Sequence, residues 1–156
     1  MNKGQQPIVI GGMHRSGTSM VTSFLKQQGL EIGRKLDSNK ESIFFQRINV
    51  WMMSLLGSAW DTPVSFNDID EDVKNRIAGQ IKKTLNSRTN SLYMGWVSIL
   101  KKKSFYDLDV PWGWKDPRNT FTSQVWKEIF PLLKTVHIIR HPIDIAASLM
   151  NRQSKE

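Results

Sequence analysis

Residues 8–19 read I-V-I-G-G-M-H-R-S-G-T-S, and the run M-V-T-S-F-L-K-Q-Q-G follows over residues 20–29. Ile8, Val9 and Ile10 form a short apolar, β-branched run of the kind that makes a buried parallel strand. Gly11, Gly12 and Gly17 then allow a tight turn and a close approach of backbone to ligand. Met20, Phe24 and Leu25 recur at helical spacing, and Gly29 suits the residue just past a helix end. Strand, glycine loop and helix N-terminus bring unpaired N–H groups and the positive end of a helix dipole to one point, which makes an anion cradle. Gly12–Ser19 nearly fits the Walker A pattern. It departs at Thr18, where an NTP hydrolase has its Lys, and it carries a cation inside the loop at Arg15. The stretch predicts a phosphate loop of a different kind from an ATPase's.

The 156 residues suffice for one domain with a real core, and a single domain over 1–156 is expected. The composition, 39% hydrophobic and 23% charged, is that of an ordinary globular protein. With no Cys, disulfides and thiolate metal sites are excluded. No apolar run reaches membrane-spanning length and the N-terminus lacks a signal-peptide core, so a cytoplasmic location is the default expectation. Lys+Arg 22 against Asp+Glu 14 gives a net charge of +8, which favours an anionic ligand or surface.

Further along, Leu30–Lys40 reads as a loop, with Ser38 and Asn39 as candidate helix caps. Ser42–Leu56 reads as an apolar helix with Phe44, Ile48, Trp51 and Leu55 on one stripe. Trp60–Pro63 reads as a turn. Asp68 or Asp70 can cap an amphipathic helix whose Val73, Ile77, Ile81 and Leu85 repeat every four residues. Ser91–Lys103 is expected to be helical, its three terminal lysines a solvated end. Trp112–Lys115 reads as a strand stopped by Asp116-Pro117, Thr120–Phe130 as a helix, and Thr135–Ile139 as a second buried strand. Pro142 opens a last helix. Trp96, Trp126 and Met52-Met53 are assigned to the core, His137 is read as a buried histidine, and Trp112 or Trp114 could stack on a base or line a pocket instead.

Strands interleaved with helices predict an α/β fold, a three-layer P-loop-type arrangement with a mainly parallel sheet flanked by helices. Such sheets bind ligands beyond the carboxyl ends of their strands. Three of those ends carry a cation: Arg15, Lys115 and Arg140. Ser148 lies about two helical turns beyond Arg140, so an Arg and a hydroxyl can address one phosphate monoester.

G-M-H-R-S-G-T-S, W-K-D-P-R and I-I-R-H-P-I-D-I-A-A-S together resemble the landmarks of the sulfotransferases that use 3′-phosphoadenosine 5′-phosphosulfate (PAPS), in its bacterial and tyrosylprotein branches. The resemblance implies that Arg15, Ser16, Gly17, Thr18 and Ser19 hold the 5′-phosphosulfate, and that Arg140 and Ser148 hold the 3′-phosphate. It implies a catalytic role at the sulfuryl group for Arg15 and Lys115, and needs no metal. It also implies a hydroxyl or amine acceptor on a small molecule, glycan or peptide. For the acceptor's base Glu41 is the nearest candidate, with His14 and Asp61 behind it, because Phe44-Phe45 stands where related sequences have a carboxylate. Family members usually continue into a segment that closes over the nucleotide, so the chain is expected to lack that part and a homodimer contact could cover the site. Asp116 is expected to orient Lys115 or Arg118. Two other readings stay open from the residues alone: a P-loop kinase acting on a small molecule with ATP, and a non-catalytic nucleotide- or polyanion-binding fragment.

Overall fold

The computed structural model describes residues 5–59, 61–62, 68–96 and 104–153. The chain runs β1 (Ile8–Gly12), α1 (Thr18–Gln27), α2 (Ile43–Leu55), α3 (Glu71–Leu85), α4 (Ser91–Met94), β2 (Gly113–Lys115), α5 (Asn119–Ile129), β3 (Lys134–Ile138) and α6 (Pro142–Gln153), with short 3-10 turns at Arg88–Asn90 and Phe105–Asp107. The three strands form a parallel sheet in the order β2-β1-β3. Because β1 is central, its carboxyl end is flanked by those of the other two.

Alternation along β1 sends side chains to both faces of the sheet. Val9 packs into the larger core, with Phe44, Phe45, Met52, Ile81, Trp112, Trp114 and Trp126, beneath α2, α3 and α5. Ile10 faces the other way, onto Leu30 and Ile32, with Leu25 of α1 packed alongside. Helices on both faces make the three layers that the sequence predicts. The larger core is aromatic at its centre, where the rings of Phe45 and Trp114 stack at 3.8 Å and 5°. Gly113 between the tryptophans has a steric reason: a Cβ there would meet the Ile8 carbonyl oxygen at 1.8 Å.

Asp70 caps α3 by accepting from the N–H groups of Asp72 and Val73, and acidic residues in its first turn and lysines in its last match the dipole. Ile77, Ile81 and Leu85 are buried, as the period predicts. Several expectations need correction. Neither Ser38 nor Asn39 caps α2; Ser42 occupies that position. The buried side of α2 is Phe44, Phe45, Ile48, Asn49, Met52 and Met53, whereas Leu55 is exposed. Helix α4 stops at Met94, where Gly95 turns to a φ of 81°, and Trp96 is 73% exposed rather than core. The rest of the helix expected up to Lys103 lies outside the described residues, as do Trp60 and Pro63. β3 is largely exposed, not buried, and so is His137. Among the described residues β3 pairs only with β1, so its apolar composition meets cover on one edge alone.

Candidate functional site

The β1–α1 junction is built by backbone conformations that its residues select. Gly17, at a φ of 100°, is the N-cap of α1 in the left-handed region. Gly12 is also at positive φ, and a Cβ there would lie 2.5 Å from the Ile138 carbonyl oxygen, so the loop and the end of β3 touch through backbone alone. Arg15 is the exception: a non-glycine residue at a φ of 68°. Such a conformation costs on the order of 1–3 kcal/mol and persists where its surroundings determine it. Here they do. The Arg15 Nε donates to Ser148 Oγ at 2.9 Å, and Arg140 Nη1 donates to the Arg15 carbonyl at 3.1 Å. The first loop and the last helix are thereby joined directly.

A second segment, Asp37–Glu41, closes over the first. Asp37 Oδ1 accepts from the N–H groups of Asn39 and Glu41, an Asx turn that fixes the loop. The carbonyl of Asn39 then receives both the Ser19 hydroxyl, at 2.9 Å, and the Lys115 ammonium, at 3.1 Å. Lys115 enters from the end of β2 and also binds Glu41 Oε1 at 2.9 Å, with both side chains only 3% exposed. The other carboxylate oxygen of Glu41 accepts from Gln46 at 3.0 Å and lies 3.5 Å from Arg118 Nη1.

These groups surround a cavity of about 300 Å³. Arg15, Gly17, Thr18, Ser19, Glu41, Lys115, Arg140 and Ser148 line it, with His14, Asn39 and Pro117. Ser16, expected at the site, is not in the lining: it is buried within the loop, with its hydroxyl against Gly12. Asp61 is exposed and is not part of the lining. A second cavity of about 310 Å³, between α2 and α3, has the apolar walls Phe44, Ile48, Trp51 and Ile81 and contains none of these residues. Trp112 and Trp114 are fully buried core and face no ligand.

Beneath the cavity lies a polar layer of which the sequence suggested one part, Asp116 orienting Lys115 or Arg118; the structure puts Asp116 on Arg118. Asp116, with no exposed surface, accepts from the Arg118 backbone N–H at 2.9 Å, from Arg118 Nη1 at 3.0 Å and from Asn49 Nδ2 at 3.0 Å. Burial pushes the Asp116 carboxyl up to about 6, against the lowering effect of the Arg118 guanidinium. Asn49 uses its whole hydrogen-bonding capacity: it donates to Asp116 and Asn119 and accepts from Thr122 and Trp126. Asn119 in turn donates to the Ile10 carbonyl and accepts from Trp114. The ends of β1 and β2 are thus bolted to α2 and α5 just below the cavity. For the rest of the layer the sequence signal was an Asn in the middle of an apolar helix; D-S-N at 37–39 similarly signals the Asx turn.

Searches of curated proteins and of solved structures gave no match. The sequence model of the Sulfotransferase family matches residues 7–156, a span that takes in the phosphate loop, the end of β2 and helix α6. That match extends over nearly the whole chain, which therefore belongs to the sulfotransferase family of transferases.

Proposed function

We propose that the chain moves a sulfuryl group from PAPS to a hydroxyl or amine acceptor at the cavity beyond the strand ends. One observation supports this most: the carboxyl ends of all three strands deliver a cation to that single cavity, Arg15 after β1, Lys115 from β2 and Arg140 after β3. In this reading Gly17, Thr18 and Ser19, which line the cavity, hold the phosphosulfate chiefly through the loop N–H groups, and Ser16 supports the loop from beneath, its N–H bonded to the Met13 carbonyl. Arg140 and Ser148 take the 3′-phosphate, Arg through charge-assisted bonds and Ser as a further donor.

PAPS supplies the sulfuryl group; the chain supplies its placement and its electrostatics. Arg15 and Lys115 place fixed positive charge where negative charge develops on the transferring oxygens. Lys115 lines the cavity with its ammonium held by the Asn39 carbonyl and by Glu41 Oε1, the contacts from which a sulfuryl oxygen would draw it. Glu41 is the carboxylate in the cavity and takes the acceptor's proton in this reading. The direct test is to supply PAPS with a panel of phenols, alcohols, amines and sugars and to follow release of the desulfated product 3′-phosphoadenosine 5′-phosphate (PAP). Acceptor-dependent PAP release that Lys115→Met abolishes, with the variant still folded by urea unfolding, supports the reading. Release that Lys115→Met leaves intact removes Lys115 from it.

A further inference from the structure

The contact between Glu41 and Lys115 raises a question about the transfer step. Both side chains are 3% exposed and bonded to one another at 2.9 Å. A Lys115 ammonium drawn toward a sulfuryl oxygen turns away from a carboxylate that has almost no water to replace it. Gln46 remains on Glu41 Oε2, but it is neutral and is shared with Asp37, to which it donates at 3.2 Å. Arg118 is the other cation within reach. Its Nη1 lies 3.5 Å from Glu41 Oε2, an ion-pair distance but too long for a good hydrogen bond. A shift of roughly half an ångström would convert it to one.

We propose that Arg118 is a positioning residue that takes over the Glu41 carboxylate as Lys115 turns to the transferring sulfuryl group. The guanidinium is suited to this because Nη1, the nitrogen that faces Glu41, is already anchored by Asp116 and has a second N–H to offer. Asp116 Oδ1 holds Arg118 Nη1 at 3.0 Å and the Arg118 backbone N–H at 2.9 Å, and Asp116 is itself held by Asn49. The charged groups around Glu41 are then Lys115 and Arg118 directly, Asp37 through Gln46, and Asp116 through Arg118. Arg118 is not in the lining of the cavity, so it acts through Glu41 and not on the donor. Asp116 adds a pH limit to the arrangement: with its carboxyl raised by burial to about 6, acidification neutralises the anchor and loosens Arg118.

This inference rests on the roles proposed above for Lys115 and Glu41, and its test needs no acceptor. Calorimetry with PAP and with PAPS reads the sulfuryl group separately from the rest of the nucleotide. In Arg118→Gln, PAP affinity is expected to stay within about twofold of wild type while PAPS affinity drops about tenfold, the value of one charge-assisted bond. Arg118→Lys, which keeps the charge without the fork, is expected to lose roughly threefold and carries the test if Arg118→Gln does not fold. In a Glu41→Gln background Arg118→Gln should cause no further loss of PAPS, because the carboxylate it serves is gone. Equal weakening of PAP and PAPS would mean that Arg118 merely supports the fold. A PAPS loss that persists undiminished in the Glu41→Gln background would also overturn the proposal. If the wild-type chain binds neither nucleotide, the sulfuryl-transfer assignment of the cavity fails first, which is a different result from binding with an unchanged PAPS-to-PAP ratio.

Discussion

Arg15 Nε and Ser148 Oγ meet at 2.9 Å although they are separated by 133 residues. The contact joins two parts of the cavity that the family resemblance treats separately, the loop for the 5′-phosphosulfate and the pair for the 3′-phosphate. Arg140 strengthens the junction by donating to the Arg15 carbonyl, so the cation of each part touches the other. The loop's strained Arg15 conformation, at a φ of 68°, is therefore held by the last helix.

Ser148→Ala should release that hold. The expected result is a PAP affinity about three- to tenfold lower, from the loss of one donor and of the Arg15 anchor together. The Arg15→Ala, Ser148→Ala double variant should lose less than the sum of the singles, and calorimetry on the three variants checks it.

Lys115 and Glu41 form a buried ion pair, and removing one member leaves the other charged and desolvated. Lys115→Met is expected to lower stability by about 3–5 kcal/mol in urea unfolding. Lys115→Met combined with Glu41→Gln should recover part of that loss. Equal stability of the single and double variants would contradict the pairing.

Asn49 carries the polar layer. Asn49→Leu would strand the Trp126 N–H, leave the Thr122 hydroxyl only its 3.2 Å contact to the Arg118 carbonyl, and take a donor from Asp116, all in buried surroundings. A loss exceeding about 3 kcal/mol is expected, since each orphaned buried group costs roughly 1–3 kcal/mol. Urea midpoints for the variant and the wild type measure it.

Asp116 makes stability depend on pH in a direction opposite to that of most carboxylates. Its folded value, about 6, lies above the ordinary 3.8, so the native state binds this proton more tightly than the unfolded chain. Its favourable contribution is complete below 3.8, fades as pH rises to about 6, and is constant above that. Compared with Asp116→Asn, the wild type should therefore lose about 2 kcal/mol between pH 4 and pH 6.5. The Asn variant carries its own pH-independent cost, because one amide cannot satisfy both the Asn49 Nδ2–H and the Arg118 guanidinium as the carboxylate does. Urea unfolding of both proteins across that range reads the slope; a flat difference would contradict it.

The parts of this architecture that were legible in the sequence are those encoded locally. The β1 run, the glycines that tolerate positive φ, the Asp70 cap and the four-residue period of α3 each depend on near neighbours. The cation-bearing strand ends could be read because a parallel sheet sends them to one edge. The Glu41–Lys115 pair was not legible as a pair, because 74 residues separate its members and only packing brings them together. The Asn49 layer was hidden for the same reason. The failure at β3 has another cause: Val136, His137 and Ile138 resemble a buried strand by composition, but burial depends on what lies over a strand, and among the described residues little lies over this one. Trp96 shows the converse, since a bulky ring at a helical position suggested core until Gly95 ended the helix.

The central claim is that the cavity at the strand ends takes a nucleotide carrying a 3′-phosphate, with Arg140 and Ser148 as its receptors. Calorimetric comparison of PAP with AMP tests it most directly, because the two differ only in that phosphate. PAP is expected to bind at least about tenfold more tightly, and Arg140→Ala to erase most of the difference while changing AMP little. Equal affinities for PAP and AMP in the wild-type protein would contradict the account.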